Sequence, residues 1–200
     1  MKVEGLRWKE FLADVKKCET CKGYPKVRDG AEAWNGCSPD DPRRILNFRR
    51  SRVLFISESP PGGQGRTFFW RDESDRLRQF LFEALGEATN RRAQSTPFRI
   101  EDFIQLNCYL LPSFSFPCSK GSSLSPRNTK PGRTVIEHSA KEHLVKAIDY
   151  IEPSEVVLLG ESASIVGRTL GLKCYLTYWP TKRTGHWTDV VVPTLRKVTS

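Results

Sequence analysis

Apolar residues fall into two kinds of run along this chain. Val53-Leu-Phe-Ile56, Phe103-Ile-Gln-Leu-Asn-Cys-Tyr-Leu-Leu111 and Glu155-Val-Val-Leu-Leu-Gly160 are short and nearly continuous. Turn formers follow the first of them, the signature of strands covered on both faces. Residues 175–178 and 190–192 supply the remaining strands. Elsewhere apolar positions recur at steps of three and four: Trp8, Phe11, Leu12 and Val15; Leu77, Phe80, Leu81, Ala84 and Leu85, stopping at Gly86; Val135, Ile136, Ala140, Leu144, Ala147, Ile148 and Ile151; then Ile165, Val166 and Leu170, ended by Gly171. That spacing predicts helices with one buried stripe. Strands alternating with helices predict an α/β protein, a three-layer α/β/α arrangement around a central, mostly parallel four-stranded sheet. The whole of residues 1–200 reads as one domain, with an N-terminal helix and a cysteine-containing loop over residues 1–50 packed on it.

The first strand empties into Ser57-Glu-Ser-Pro-Pro-Gly-Gly-Gln-Gly-Arg-Thr-Phe-Phe-Trp70. In an open parallel sheet the C-terminal strand ends are where ligands bind, because neighbouring loops converge there. Glu58 therefore stands at a ligand-binding edge. Phe68, Phe69 and Trp70 offer flat stacking faces nearby, and Gly62, Gly63 and Gly65 let the backbone approach a guest. An acid beside stacking rings suits a planar heterocycle; a solvated loop acid beside core aromatics is the plain alternative. Asn107, an amide inside the second apolar run, must be hydrogen-bonded to backbone or to a ligand edge. Residues 112–133 form a long loop with little periodicity, of the kind that usually carries a function. His138 falls off the stripe of its helix and His143 lies at its margin, positions at which histidines are mostly structural.

A formal net charge of +9 favours a polyanionic partner, since phosphate attraction and counterion release need surplus Lys and Arg. No apolar run reaches membrane-spanning length. Residues 1–17 are charged and amphipathic without the apolar core of a secretory signal, which points to the cytoplasm. There, cysteines are metal ligands or buried thiols more often than disulfides. Cys18-Glu-Thr-Cys21 places two thiols where one metal ion or cluster iron can take both, and Cys37, in a polar loop, can join them.

Four segments taken in order resemble the uracil-DNA glycosylase superfamily, most closely its iron-sulfur branch: Cys18-Glu-Thr-Cys21 after a helix, Ser57-Glu-Ser-Pro-Pro61, Gly65-Arg-Thr-Phe68, and Leu106-Asn-Cys108. The strand at 156–160 is similar to a further segment of that family. The resemblance spans about residues 8–196. It implies a monofunctional DNA glycosylase that hydrolyses the N-glycosidic bond of uracil or another deaminated base. Glu58 would position or deprotonate the attacking water, and Phe68 would stack on the extruded base. Asn107 would read the base edge, with Pro60 and Gly65 lining the pocket. DNA is the implied partner of a monomer, and a repair protein is a further one.

The chain departs from the family in three places. Ser57 and Pro61 stand where the family has glycines. The family's second-motif His falls on Arg196, with no helix following, so that Arg196, or His186 from the neighbouring loop, would have to stabilise the leaving base. The last two cluster cysteines are not where the family has them, which makes Cys18, Cys21, Cys37 and Cys118 the expected ligand set of a structural 4Fe-4S cluster, with zinc or no metal as alternatives. A degenerate family member that binds nucleic acid without turnover, and a metal-dependent hydrolase with Cys and His ligands, are the competing functions.

Overall fold

Four short strands, β1 (Val53–Ser57), β2 (Cys108–Pro112), β3 (Glu155–Leu159) and β4 (Tyr175–Thr177), pair in the order β2-β1-β3-β4, every pairing parallel. The computed structural model describes residues 10–11, 13–24, 52–58, 76–90, 99–114, 129–177 and 187–200. β1 is central. Val53 faces Cys108 on one side and Glu155 on the other, and all five of its residues are buried. Each of Leu54, Phe55 and Ile56 is worth about 1.5–3 kcal/mol when fully removed from water, which explains why a four-residue apolar run can organise a sheet. The chain passes from β1 to β2 on one side, then crosses back to β3 on the other. The strand order therefore reverses between β1 and β3, the topological switch point of an open α/β sheet.

Helices cover both faces, as an all-parallel sheet requires. α2 (Arg76–Ala88) packs against α7 (Val192–Thr199), while α1 (Glu19–Lys22), α4 (Lys130–Ser139) and α6 (Glu161–Leu170) form the opposing group. α4 continues through a π-helical turn (Ala140–Leu144) into α5 (Val145–Ile151), making one rod between β2 and β3. Thr129 caps that rod by accepting the Gly132 N–H at 3.1 Å, and Glu152 ends it in a left-handed conformation at φ 50°. Residues 10–11 and 13–17 are helical, as their periodicity predicts. No helix among the described residues is long and apolar enough to cross a membrane.

The three-layer α/β/α class with a four-stranded sheet is as the sequence predicts; three elements differ. The apolar stretch 103–111 divides into a helix, α3 (Ile100–Gln105), and β2. Asp102 accepts the Arg99 N–H at 2.8 Å, a capping interaction that starts α3, and Asn107 at φ 53° reverses the chain into β2. Phe103 on α3 is fully buried, its ring 5.7 Å from Phe55 and 5.8 Å from Phe82, so α3 spends its apolar residues on the β1–α2 contact. Gly86 does not stop α2: it is buried within the helix, which runs on to Ala88. Residues 190–192, expected as strand, lie in a second π turn (Trp187–Val191) and the start of α7. Val191, Val192, Leu195 and Val198 bury a helical stripe there, and Pro193 sits in the first turn of α7, directly after the π turn.

Phe103→Ala is expected to cost about 3–5 kcal/mol, the range for truncating a fully buried phenylalanine. Denaturant midpoints at unchanged m-value would check it, and a cost below 1 kcal/mol would contradict the placement of α3 against β1.

Candidate functional site

Glu58 follows β1 directly and stands at the C-terminal edge of the sheet, beside the switch point. Its backbone is fixed from β2: the Ser113 hydroxyl and the Phe114 N–H (3.1 Å) both donate to the Glu58 carbonyl, while the Ser113 N–H donates to Ser57 at 2.8 Å. Its carboxylate is reached from the other side. Ser162, buried in the first turn of α6, donates its hydroxyl to Oε1 at 3.2 Å. Gly160 makes that approach feasible, because φ 84° with ψ −174° is a backbone state that glycine alone adopts readily. Thus β2 holds the main chain of Glu58 and the β3–α6 turn holds its side chain. The half-buried carboxylate also faces the positive end of α6.

One residue expected beside Glu58 lies elsewhere. Asn107 precedes β2 instead of lying within it: its carbonyl accepts the Arg52 N–H at 2.8 Å, at the N-terminal edge of the sheet. Arg52 is six residues before Glu58, so roughly 20 Å of strand separates Asn107 from the carboxylate at about 3.3 Å per residue. The residue that the β1–β2 register sets opposite Glu58 is Ser113, fully buried. Arg196 is exposed on the last turn of α7, where the next residue, Lys197, lies 5.0 Å from the Tyr175 ring at the start of β4. The register sets Tyr175 level with Val157 and Phe55, in the middle of β1. The second-motif segment is itself helical, since residues 192–199 form α7. Pro60, Gly65 and Phe68, in the segment that leaves β1, and His186, in the segment that follows β4, lie outside the described residues.

A second constellation forms on α4. Cys18, Cys21, His138 and His143 bring one ligand atom each to within 4.8 Å of one another, a group able to hold a metal ion. Cys18 Sγ is 3.4 Å from His138 Nε2, and the two imidazoles meet edge to face with centroids 6.1 Å apart. His143 is 6% exposed, and its Nε2 is buried without a hydrogen-bond partner among the described residues. Burial, then the neighbouring His138 and Lys146, push its pKa down to about 4, so the ring is neutral and its lone pair available. Burial, reinforced by the hydrogen bond with Cys18, raises the Cys21 thiol well above the ordinary range. Of the expected metal set, Cys18 and Cys21 are therefore together, and Cys37 and Cys118 lie outside the described residues. Cys108, on β2, is away from this group, its thiol pushed up to about 12 by burial.

The histidines were legible as residues but not as partners. In an ideal α-helix positions five apart point about 140° away from each other, which is why neither shares the apolar stripe. The π turn changes this: Val145 N–H bonds back to Ala140, closing an i→i+5 ring, and residues five apart come onto one side. A C-x-x-C followed far downstream by H-x4-H is the signal that finds the group.

The chain matches no family model and no curated protein.

Ser162→Ala is expected to lower stability by about 1 kcal/mol through loss of a hydrogen bond to a partly exposed carboxylate. Arg196→Ala should stay within about 0.5 kcal/mol of the parent, as exposed positions do. Equilibrium denaturation of both variants checks the pair, and a larger loss at Arg196 than at Ser162 would contradict the placements described above.

Proposed function

We propose that the chain hydrolyses an N-glycosidic bond in nucleic acid, releasing uracil or a similarly deaminated base, with Glu58 as the catalytic carboxylate. One observation carries the reading: Glu58 stands at the switch-point edge of a parallel sheet, with its backbone held from the end of β2 and its carboxylate from the first turn of α6. Breaking the bond between C1′ and the base nitrogen leaves positive charge on the sugar and negative charge on the base. A fixed carboxylate on the sugar side lowers the energy of that state, and it takes a proton from the water whose oxygen bonds to C1′. The surplus of 32 Lys and Arg over 23 Asp and Glu supports a polyanionic substrate. The base has to leave the stack to reach the edge, which costs a few kcal/mol, returned by stacking and hydrogen bonding. Phe68, carried by the segment that follows Glu58, is the stacking ring in this reading. Asn107 has no part in it, because it stands at the far edge, and Arg196 or His186 is the group left for the departing base.

The four-donor Cys and His group enters as an element that holds the fold. With four protein ligands a metal there keeps no open position for water or substrate, so the reading of the chain as a metal-dependent hydrolase loses its support.

The displacement of Asn107 from Glu58 favours a second reading, a protein that binds nucleic acid without turnover. Incubation with a uracil-containing oligonucleotide, followed by alkali, separates the two. Under the first reading strand cleavage appears and falls by about 10²–10³ in Glu58→Gln, the loss typical of removing one preorganised electrostatic group. Salt-sensitive retention of the oligonucleotide with no abasic product, equal in the parent and Glu58→Gln, would leave only the second.

A further inference from the structure

We propose that Cys18, Cys21, His138 and His143 bind a single Zn2+ ion, in place of the four-cysteine iron-sulfur cluster that the family resemblance implies. Two thiolates and two imidazoles are a typical donor set of structural zinc, with Zn–S about 2.3 Å and Zn–N about 2.0–2.1 Å. Tetrahedral bonds of those lengths put the donors roughly 3.3–3.8 Å apart. The four atoms here lie within 4.8 Å, and one pair is already at 3.4 Å, so a small contraction completes the site. A cubane cluster makes the opposite demand, because each of its ligands binds a different iron and the donors spread around a body of eight atoms. A two-iron cluster with two His and two Cys also fails, since it sets both imidazoles on one iron and both thiolates on the other. Here Cys18 Sγ and His138 Nε2 are neighbours.

The burial of the group asks for an ion. His143 is more than nine-tenths buried, and its Nε2 finds no hydrogen-bond partner among the described residues, a cost that a metal bond removes. Charge closes as well. Zn2+ displaces the two thiol protons to solvent, and two thiolates with two neutral imidazoles leave the site with no net charge, which a half-buried to buried position tolerates. The π turn that brings His138 and His143 together, at the expense of regular α-helical bonding, is a feature found frequently at functional sites. The inference is independent of the role given to Glu58.

The test uses the full chain, expressed in medium containing both iron and zinc. One zinc per chain with no acid-labile sulfide is expected, together with an X-ray absorption first shell of two sulfurs and two nitrogens. Cobalt substitution should give the intense ligand-field bands of a tetrahedral thiolate and imidazole site. His138 is only half-buried, so His138→Ala should keep its circular dichroism while its zinc affinity, measured against a chromophoric chelator, falls at least about a hundredfold. A brown protein carrying iron and sulfide would overturn the proposal. So would a first shell of four sulfurs, or parental zinc affinity in a folded His138→Ala. Should that variant not fold, the metal content and first shell of the parent protein decide alone.

Discussion

The structure depends on a conflict resolved at the end of one strand. β1 is buried along its whole length because partners pair with it on both sides and helices cover both faces, yet the next residue is a carboxylate. A charge cannot follow a fully buried strand unless the sheet ends there and donors meet it. Both conditions hold. The β2 side supplies the Ser113 hydroxyl and the Phe114 N–H to the main chain of Glu58, and the β3–α6 turn supplies Ser162 to its carboxylate. β2 and β3 stand on opposite sides of β1 only because the strand order reverses there. The topology and the anchoring of Glu58 are thus one fact.

The same edge is tied to the cysteine-histidine group by a short series of contacts. Cys21 and Tyr24 end the N-terminal segment. The Tyr24 ring stands edge-on to Phe114 with centroids 6.0 Å apart, and its hydroxyl lies 3.3 Å from the Thr129 side chain that caps α4. Phe114 in turn donates its N–H to Glu58. A metal clasp over Cys18, Cys21, His138 and His143 would fix the segment against α4 and hold Tyr24 on Phe114. It would act on the carboxylate through packing, not through coordination.

What could be read from the sequence follows from how local each signal is. β1, β3, α6 and the parallel α/β class came from runs that carry their own boundaries, such as Gly171 at φ 61° ending α6. The stretch 103–111 misled because a buried helix turn and a buried strand have the same continuous apolar composition. The division came from an αL residue in the middle and a capping carboxylate at Asp102. Residues 190–192 misled in the same way, since three valines read as strand until α2 offers a partner for a helical stripe. Asn107 is the instructive case. Its neighbours resemble a family motif, but at φ 53° it stands just before β2, at the opposite end of the sheet from Glu58. A motif assigns residue types, and only topology assigns the edge.

The metal group shows the complementary limit. Periodicity treats a helix as uniform, so it sorts His138 and His143 onto different sides; one π turn undoes that assignment, and nothing in the composition of residues 140–144 announces it. Cysteine spacing is more robust, because Cys18 stands at the N-cap of a single helical turn that contains Cys21. The resemblance to an iron-sulfur branch directs attention to further cysteines. The structure instead supplies two imidazoles from the rod that crosses from β2 to β3. Exchanging thiolates for imidazoles lowers the negative charge that the site must bury, so it changes which metal fits while leaving in place the N-terminal helix that the motif marks.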